Sequence, residues 1–222
     1  MPSLSDRYNA LSREVASSGA RLVAVTKTHP VEKIRELYDL GHRDFGENRV
    51  SELEEKAARL PADINWHFIG HLQRNKAKNI LPHVSLLHSG DSLRLLRELD
   101  KRSDDRRIDV LLQFHIATEE SKYGLTRESG RDLMQDVTKT PLKHVRISGV
   151  MGMATYTDDT ERIAEEFRTL HEIYSELKAE YFAEDPAFCE ISMGMSGDYP
   201  IALQQGSTLV RIGSLLLGER DA

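Results

Sequence analysis

One cysteine, Cys189, in 222 residues leaves the chain no internal disulfide and no cysteine-cluster metal site. Long apolar runs are missing too: the longest, such as Leu215-Leu216-Leu217, are far too short to cross a bilayer. The opening residues MPSLSDRYNALSREV show no basic start followed by an apolar block, so no signal peptide is expected and the cytoplasm is the default compartment. There is no surplus of cations. A net charge of −6 argues against nonspecific nucleic-acid binding, because neutralising phosphates takes clustered Lys and Arg. The basic stretch 74–78 reads as solvated helix surface. Neither repeats nor low-complexity linkers divide the chain, and 39% hydrophobic with 30% charged residues is an ordinary globular composition. One domain over residues 1–222 is expected.

What is present is an alternation of short apolar runs and amphipathic stretches along the whole chain. Leu4, Tyr8, Leu11 and Val15 mark one helix face ahead of the first strand, residues 22–27. Further strands are expected at 44–46, 66–70, 84–88, 108–116, 145–150, 188–193 and 209–213. Between them lie helical patterns, the longest with Ile163, Phe167, Leu170, Tyr174, Leu177 and Tyr181 on one stripe. About eight strands alternating with helices is the arithmetic of a (β/α)8 TIM barrel, with an extra N-terminal helix. An open doubly wound sheet would want a glycine-rich turn after its first strand, and Thr28-His29-Pro30 stands there instead.

Barrels of this kind keep their working groups at the carboxyl ends of the strands. The first strand ends in Lys27, on the same side as Val23 and Val25, so an inward-facing amine would lose hydration and gain nucleophilic character. A lysine that snorkels to water is the plain alternative. Met195-Ser196-Gly197 and Gly213-Ser214 supply small and hydroxyl residues after the seventh and eighth strands, where barrels often bind phosphate. Closing the barrel sets Arg211 on the strand next to Lys27. A phosphate clamp, an amine and a cation match the three handles of pyridoxal 5′-phosphate (PLP), and the same parts would serve a Schiff-base aldolase acting on a sugar phosphate. His67 and His71 lack a third ligand for zinc, and Cys189 is expected as a small buried hydrophobe beside Phe188.

The segments LVAVTKTHP, FGENRVSE, WHFIGHLQRNKAK, EESKYGL, GVMGMAT, ISMGMSGDY and LVRIGSLLLGER resemble the pyridoxal phosphate homeostasis protein family, from about residue 22 to 220. The resemblance implies a barrel of alanine racemase N-terminal type that holds PLP as an aldimine on Lys27. It implies phosphate contacts from Ser196, Gly213 and Ser214, Arg211 facing the pyridine nitrogen, and Asn48, His67 and Met153 as pocket neighbours. It further implies a carrier or regulator of PLP supply without robust catalysis, which touches apo PLP enzymes transiently. A PLP-dependent amino-acid racemase or Schiff-base lyase is the alternative. His115 and Pro200 depart from the residues common in that family at these places. With no length to spare for a second domain to seal the pocket, a monomer with a partly exposed cofactor is expected.

Overall fold

The computed structural model describes residues 2–103, 106–119 and 123–218. Eight parallel strands close into a barrel in chain order: β1 (Arg21–Val25), β2 (Asp44–Glu47), β3 (Asn65–Phe68), β4 (Val84–Gly90), β5 (Ile108–Gln113), β6 (Val145–Met151), β7 (Glu190–Ser192) and β8 (Leu209–Ile212). Helices α2 (Val31–Asp39), α3 (Val50–Arg59), α4 (Ala77–Ile80), α5 (Leu93–Arg102), α6 (Arg127–Lys139), α7 (Thr160–Tyr181), α8 (Tyr199–Gln204) and α9 (Ser214–Leu217) follow the strands in turn, and α1 (Leu4–Ser17) precedes them. The expected TIM barrel with an added N-terminal helix is therefore the observed architecture.

Strand alternation separates two cores. Outward-facing Leu22, Ala24, Phe45, Phe68, Leu87 and Val110 join the helices in the main hydrophobic layer. Inward-facing Val23, Leu86, Leu111, Met151 and Leu209 form a small plug inside the barrel, with Met153 against it. Because α9 is one short turn, α1 covers the β8–β1 seam: Arg7 Nε donates to Leu216 O (2.8 Å), and Tyr199 Oη donates to Glu14 Oε2 (3.0 Å). A capping box between Ser3 and Asp6 starts α1, satisfying N–H groups that the helix itself cannot.

The structure corrects several sequence expectations. β1 ends at Val25, so Lys27 lies in the turn that follows. β5 stops at Gln113, and the chain just past it pairs with Leu125: His115 N–H donates to Leu125 O and Leu125 N–H to Gln113 O. Cys189 is exposed, since Phe188 takes the core side and stacks on Phe182 and Tyr174. Of the EESKYGL segment, Glu120–Lys122 lie outside the described residues, as does Arg220.

Candidate cofactor site

The turn bearing Lys27 is held from beneath by a buried ionic cluster. Lys56 Nζ donates to Glu47 Oε1 (2.7 Å), Glu52 Oε2 (3.2 Å) and Thr26 O (2.9 Å). Thr26 Oγ1 donates to the same Glu47 oxygen at 2.6 Å, and Thr28 N–H donates to Glu52 Oε2 at 2.7 Å. Both neighbours of Lys27 are thus anchored to one cluster supplied by β2 and α3. Thr28 sits at φ 66°, a left-handed conformation that a β-branched residue rarely adopts. The Glu52 contact and the Lys56 contact to Thr26 are what hold that strained turn. Lys27 is half-buried.

Across the seam, Val23 pairs in register with Arg211 and Ala24 with Ile212, so Val25 stands beside Gly213. A Cβ on Gly213 would lie 3.3 Å from Val25 O, which suits a glycine at this closest approach. The loops after β7 and β8 are joined directly: Leu215 N–H donates to Ser196 Oγ (3.3 Å). Ser196, Gly213 and Ser214 therefore form one small-residue rim next to the turn of Lys27. Below it Arg211 is buried, donating from Nη1 to Ser192 Oγ (2.5 Å) and from Nη2 to Gly152 O (3.1 Å). Both acceptors are uncharged, and burial pulls the guanidinium down to about 10 while leaving it protonated at neutral pH.

Asn48 lies just past β2, and its side-chain Oδ1 is buried with no hydrogen-bond partner. An orphaned buried acceptor is costly unless a ligand or water completes it. Gly70, from the WHFIGHLQ segment, packs on the Asn48 backbone so closely that a Cβ there would come 2.3 Å from Asn48 O. We expect Gly70→Ala to displace Asn48 and to cost about 1–3 kcal/mol, the usual range for overpacking. Thermal melting would fall, and an unchanged melt would contradict the packing argument. Met153 is half-buried above the interior plug, after β6.

Six of the eight sequence-selected residues thus gather at the carboxyl end of β1, β2, β6, β7 and β8, with Arg211 inside β8 below them. His67 is the exception. Its Nε2 meets Asp44 Oδ1 at 3.1 Å and its Nδ1 meets His88 Nε2 at 2.9 Å. Asp44 is the first residue of β2, and His67 lines a cavity of about 390 Å³ at the amino-terminal mouth, with Arg21, Asn65 and Glu190. It pairs in register with Gly46, two residues before Asn48, which places it one layer deeper than the rim. His71 instead stacks on Tyr123 (4.8 Å) and pairs with Asp91. Among the described residues no cluster of three or more His, Cys, Asp or Glu side chains is placed to hold a metal ion.

Sequence reasoning missed the Glu47–Glu52–Lys56 cluster and the His88–Ser192 pair beside Arg211. The i,i+4 spacing of Glu52 and Lys56 was a visible signal for the first. His88 and Ser192 come together only when the barrel closes, so nothing local announces them.

Residues 2–221 match the family described as alanine racemase, N-terminal domain. The pyridoxal phosphate homeostasis protein of Aquifex aeolicus is 40% identical over 204 residues, covering 90% of this chain and 87% of its own. PipY of Synechococcus elongatus, solved with PLP bound, superposes with a TM-score of 0.87 at 33% identity, over 97% of this chain and 100% of its own. An alanine racemase from Bartonella henselae, with covalently bound pyridoxal phosphate, shares the fold at a TM-score of 0.70 and 17% identity, over 98% of this chain and 58% of its own. Full-length similarity at this level, on a closed barrel with the expected rim, places the chain in the pyridoxal phosphate homeostasis protein family.

Proposed function

We propose that this chain binds PLP covalently through Lys27 and controls its supply, without turning over a substrate. The observation that supports this most is the placement of the Lys27 turn one strand from Arg211, under a rim in which Leu215 N–H, next to Ser214, donates to Ser196 Oγ. The residues fit the group on their own terms. The rim offers small residues and hydroxyls to a phosphate, the buried Arg211 can face a neutral ring nitrogen, and the unpartnered Asn48 Oδ1 awaits a donor. Met153 would lie against the ring. If bound, PLP would supply an aldehyde carbon that Lys27 would hold covalently, the carbonyl oxygen leaving as water. The clamped turn fixes the backbone from which that amine reaches.

Two features favour a carrier over an enzyme. An arginine opposite the pyridine nitrogen does not protonate the ring, which leaves the ring a poor electron sink. The rim is also open: Met195 is 37%, Leu215 46% and Tyr156 96% exposed in the loops after β7, β8 and β6. A catalyst of carbanion chemistry gains from excluding water, whereas a carrier must release its cargo. The same openness suits a monomer that meets apo PLP enzymes transiently, in the cytoplasm, with residues 1–222 acting as one binding unit. Among the described residues, no helix is long and apolar enough to cross a membrane.

The test is reconstitution with PLP followed by incubation with single enantiomers of amino acids. The carrier reading expects visible absorbance that borohydride quenches and no sustained inversion or cleavage of either enantiomer. Turnover would move the assignment to a racemase or Schiff-base lyase, and a colourless, unmodified protein would remove PLP altogether.

A further inference from the structure

Arg211 is the end of a hydrogen-bonded chain that crosses the barrel interior. From it the contacts run to Ser192 Oγ (2.5 Å), from Ser192 Oγ to His88 Nδ1 (2.9 Å), from His88 Nε2 to His67 Nδ1 (2.9 Å), and from His67 Nε2 to Asp44 Oδ1 (3.1 Å). Four of the five residues are fully or almost fully buried, with Ser192 and His88 at 0% exposure. Asp44, at the amino-terminal mouth, alone reaches solvent, with 19% of its side chain exposed.

The chemistry of the two ends gives the chain a direction. Arg211 can only donate, so Ser192 Oγ accepts from it and has its own proton to give. Asp44 is a carboxylate and can only accept. Burial opposes its ionisation, but the hydrogen bond from His67, with Arg21 nearby, holds its carboxyl below the usual range. His67 therefore donates from Nε2 and accepts at Nδ1, which makes His88 donate from Nε2 and accept at Nδ1. Ser192 then donates to His88. The reverse order would aim the lone pair of His67 Nε2 at an anion. His88 is neutral in this scheme, as its full burial demands, with the Arg211 charge pushing the same way.

We propose that Asp44 positions Arg211 through this one-way chain, so that a carboxylate at the amino-terminal mouth sets the contact between Arg211 and the cofactor's ring nitrogen at the opposite end. The inference rests on the PLP reading above. Asp44, His67, His88 and Ser192 are positioning residues that never touch the cofactor. Each bond polarises the next, so the negative end at Asp44 makes Ser192 Oγ a stronger acceptor for Arg211. With Nη2 tied to Gly152 O, the guanidinium is held at two nitrogens and its remaining N–H groups are aimed by the chain.

Two measurements test this. In the protein without PLP, nitrogen NMR of 15N-labelled histidine is expected to show His67 and His88 both neutral with the proton on Nε2. A proton on Nδ1 of either ring, or a charged His88, overturns the proposal. In protein loaded with ring-15N PLP, Asp44→Asn is expected to shift the ring-nitrogen resonance beyond its linewidth while the borohydride-fixed mass on Lys27 persists. Asp109→Asn removes the same charge from the same mouth without touching the chain, and is expected to leave that resonance in place. No shift in Asp44→Asn, or an equal shift in both variants, overturns the positioning role alone. Failure of the wild-type protein to take up PLP defeats the cofactor reading and the inference with it. The histidine measurement needs only the wild-type fold, so an unstable variant would not shelter the proposal.

Discussion

Lys27→Ala is expected to abolish both the visible absorbance of the PLP-loaded protein and the mass that borohydride fixes, while the variant still folds. Lys27 is half-buried in a turn whose anchoring runs through Thr26 and Thr28, so its side chain is dispensable for the cluster beneath. The phosphate rim, Arg211 and Asn48 all survive the change, so weak noncovalent PLP binding is expected to remain. Intact mass before and after reduction, with a circular dichroism melt of the same samples, separates loss of the amine from loss of the fold. Full modification of the variant would assign the imine to another lysine, and the geometry argued above would then describe the wrong turn.

The second large effect belongs to Lys56→Met. Lys56 is the positive partner of Glu47, whose carboxylate is fully buried and has its second oxygen, Oε2, unpartnered. Removing one side of a buried pair leaves an uncompensated charge and typically costs about 3–5 kcal/mol. In a chain of this size that corresponds to a fall in Tm of roughly 6–20 °C. The pH dependence gives a sharper check. Burial already raises the Glu47 pKa above the ordinary 4.5, against the opposing pull of Lys56. A carboxyl whose folded pKa is raised binds protons more tightly in the folded state, so stability falls as pH climbs from the ordinary value through the raised one. Without Lys56 the carboxyl rises further and that window widens toward neutrality. The variant is therefore expected to regain stability on acidification from pH 7 toward 5, more steeply than the wild type. A penalty independent of pH would mean that lost packing, and not the stranded carboxylate, explains the cost. Because Lys56 also holds Thr26, the variant is further expected to take up PLP more slowly or more weakly than its loss of stability alone explains.

The barrel was legible in the chain because its signals are local. Short apolar runs such as that of β5 and the long stripe of α7 declare their type within one window. Lys27, Ser196, Gly213 and Ser214 were legible for a related reason: each lies just past a strand, and a parallel barrel brings all such ends to one face. His67 broke the rule because it sits inside β3 and not beyond it, two residues below the level of the rim. Cys189 misled because a short β7 begins only at Glu190, leaving the cysteine at the edge of the amino-terminal mouth.

The residue order by itself determined the alternation of strands and helices and the lack of an internal disulfide, and it pointed to Lys27, the small residues after the last two strands and Arg211 as candidates. Each follows from hydrophobic period or from short-range chemistry. Only the tertiary structure decided which buried charges meet: Glu47 with Lys56 under the Lys27 turn, and Asp44 with Arg211 through two histidines and a serine. The longest direct contact in that chain, His88 with Ser192, joins residues 104 apart, and they touch because closing the sheet points alternate side chains at a common axis.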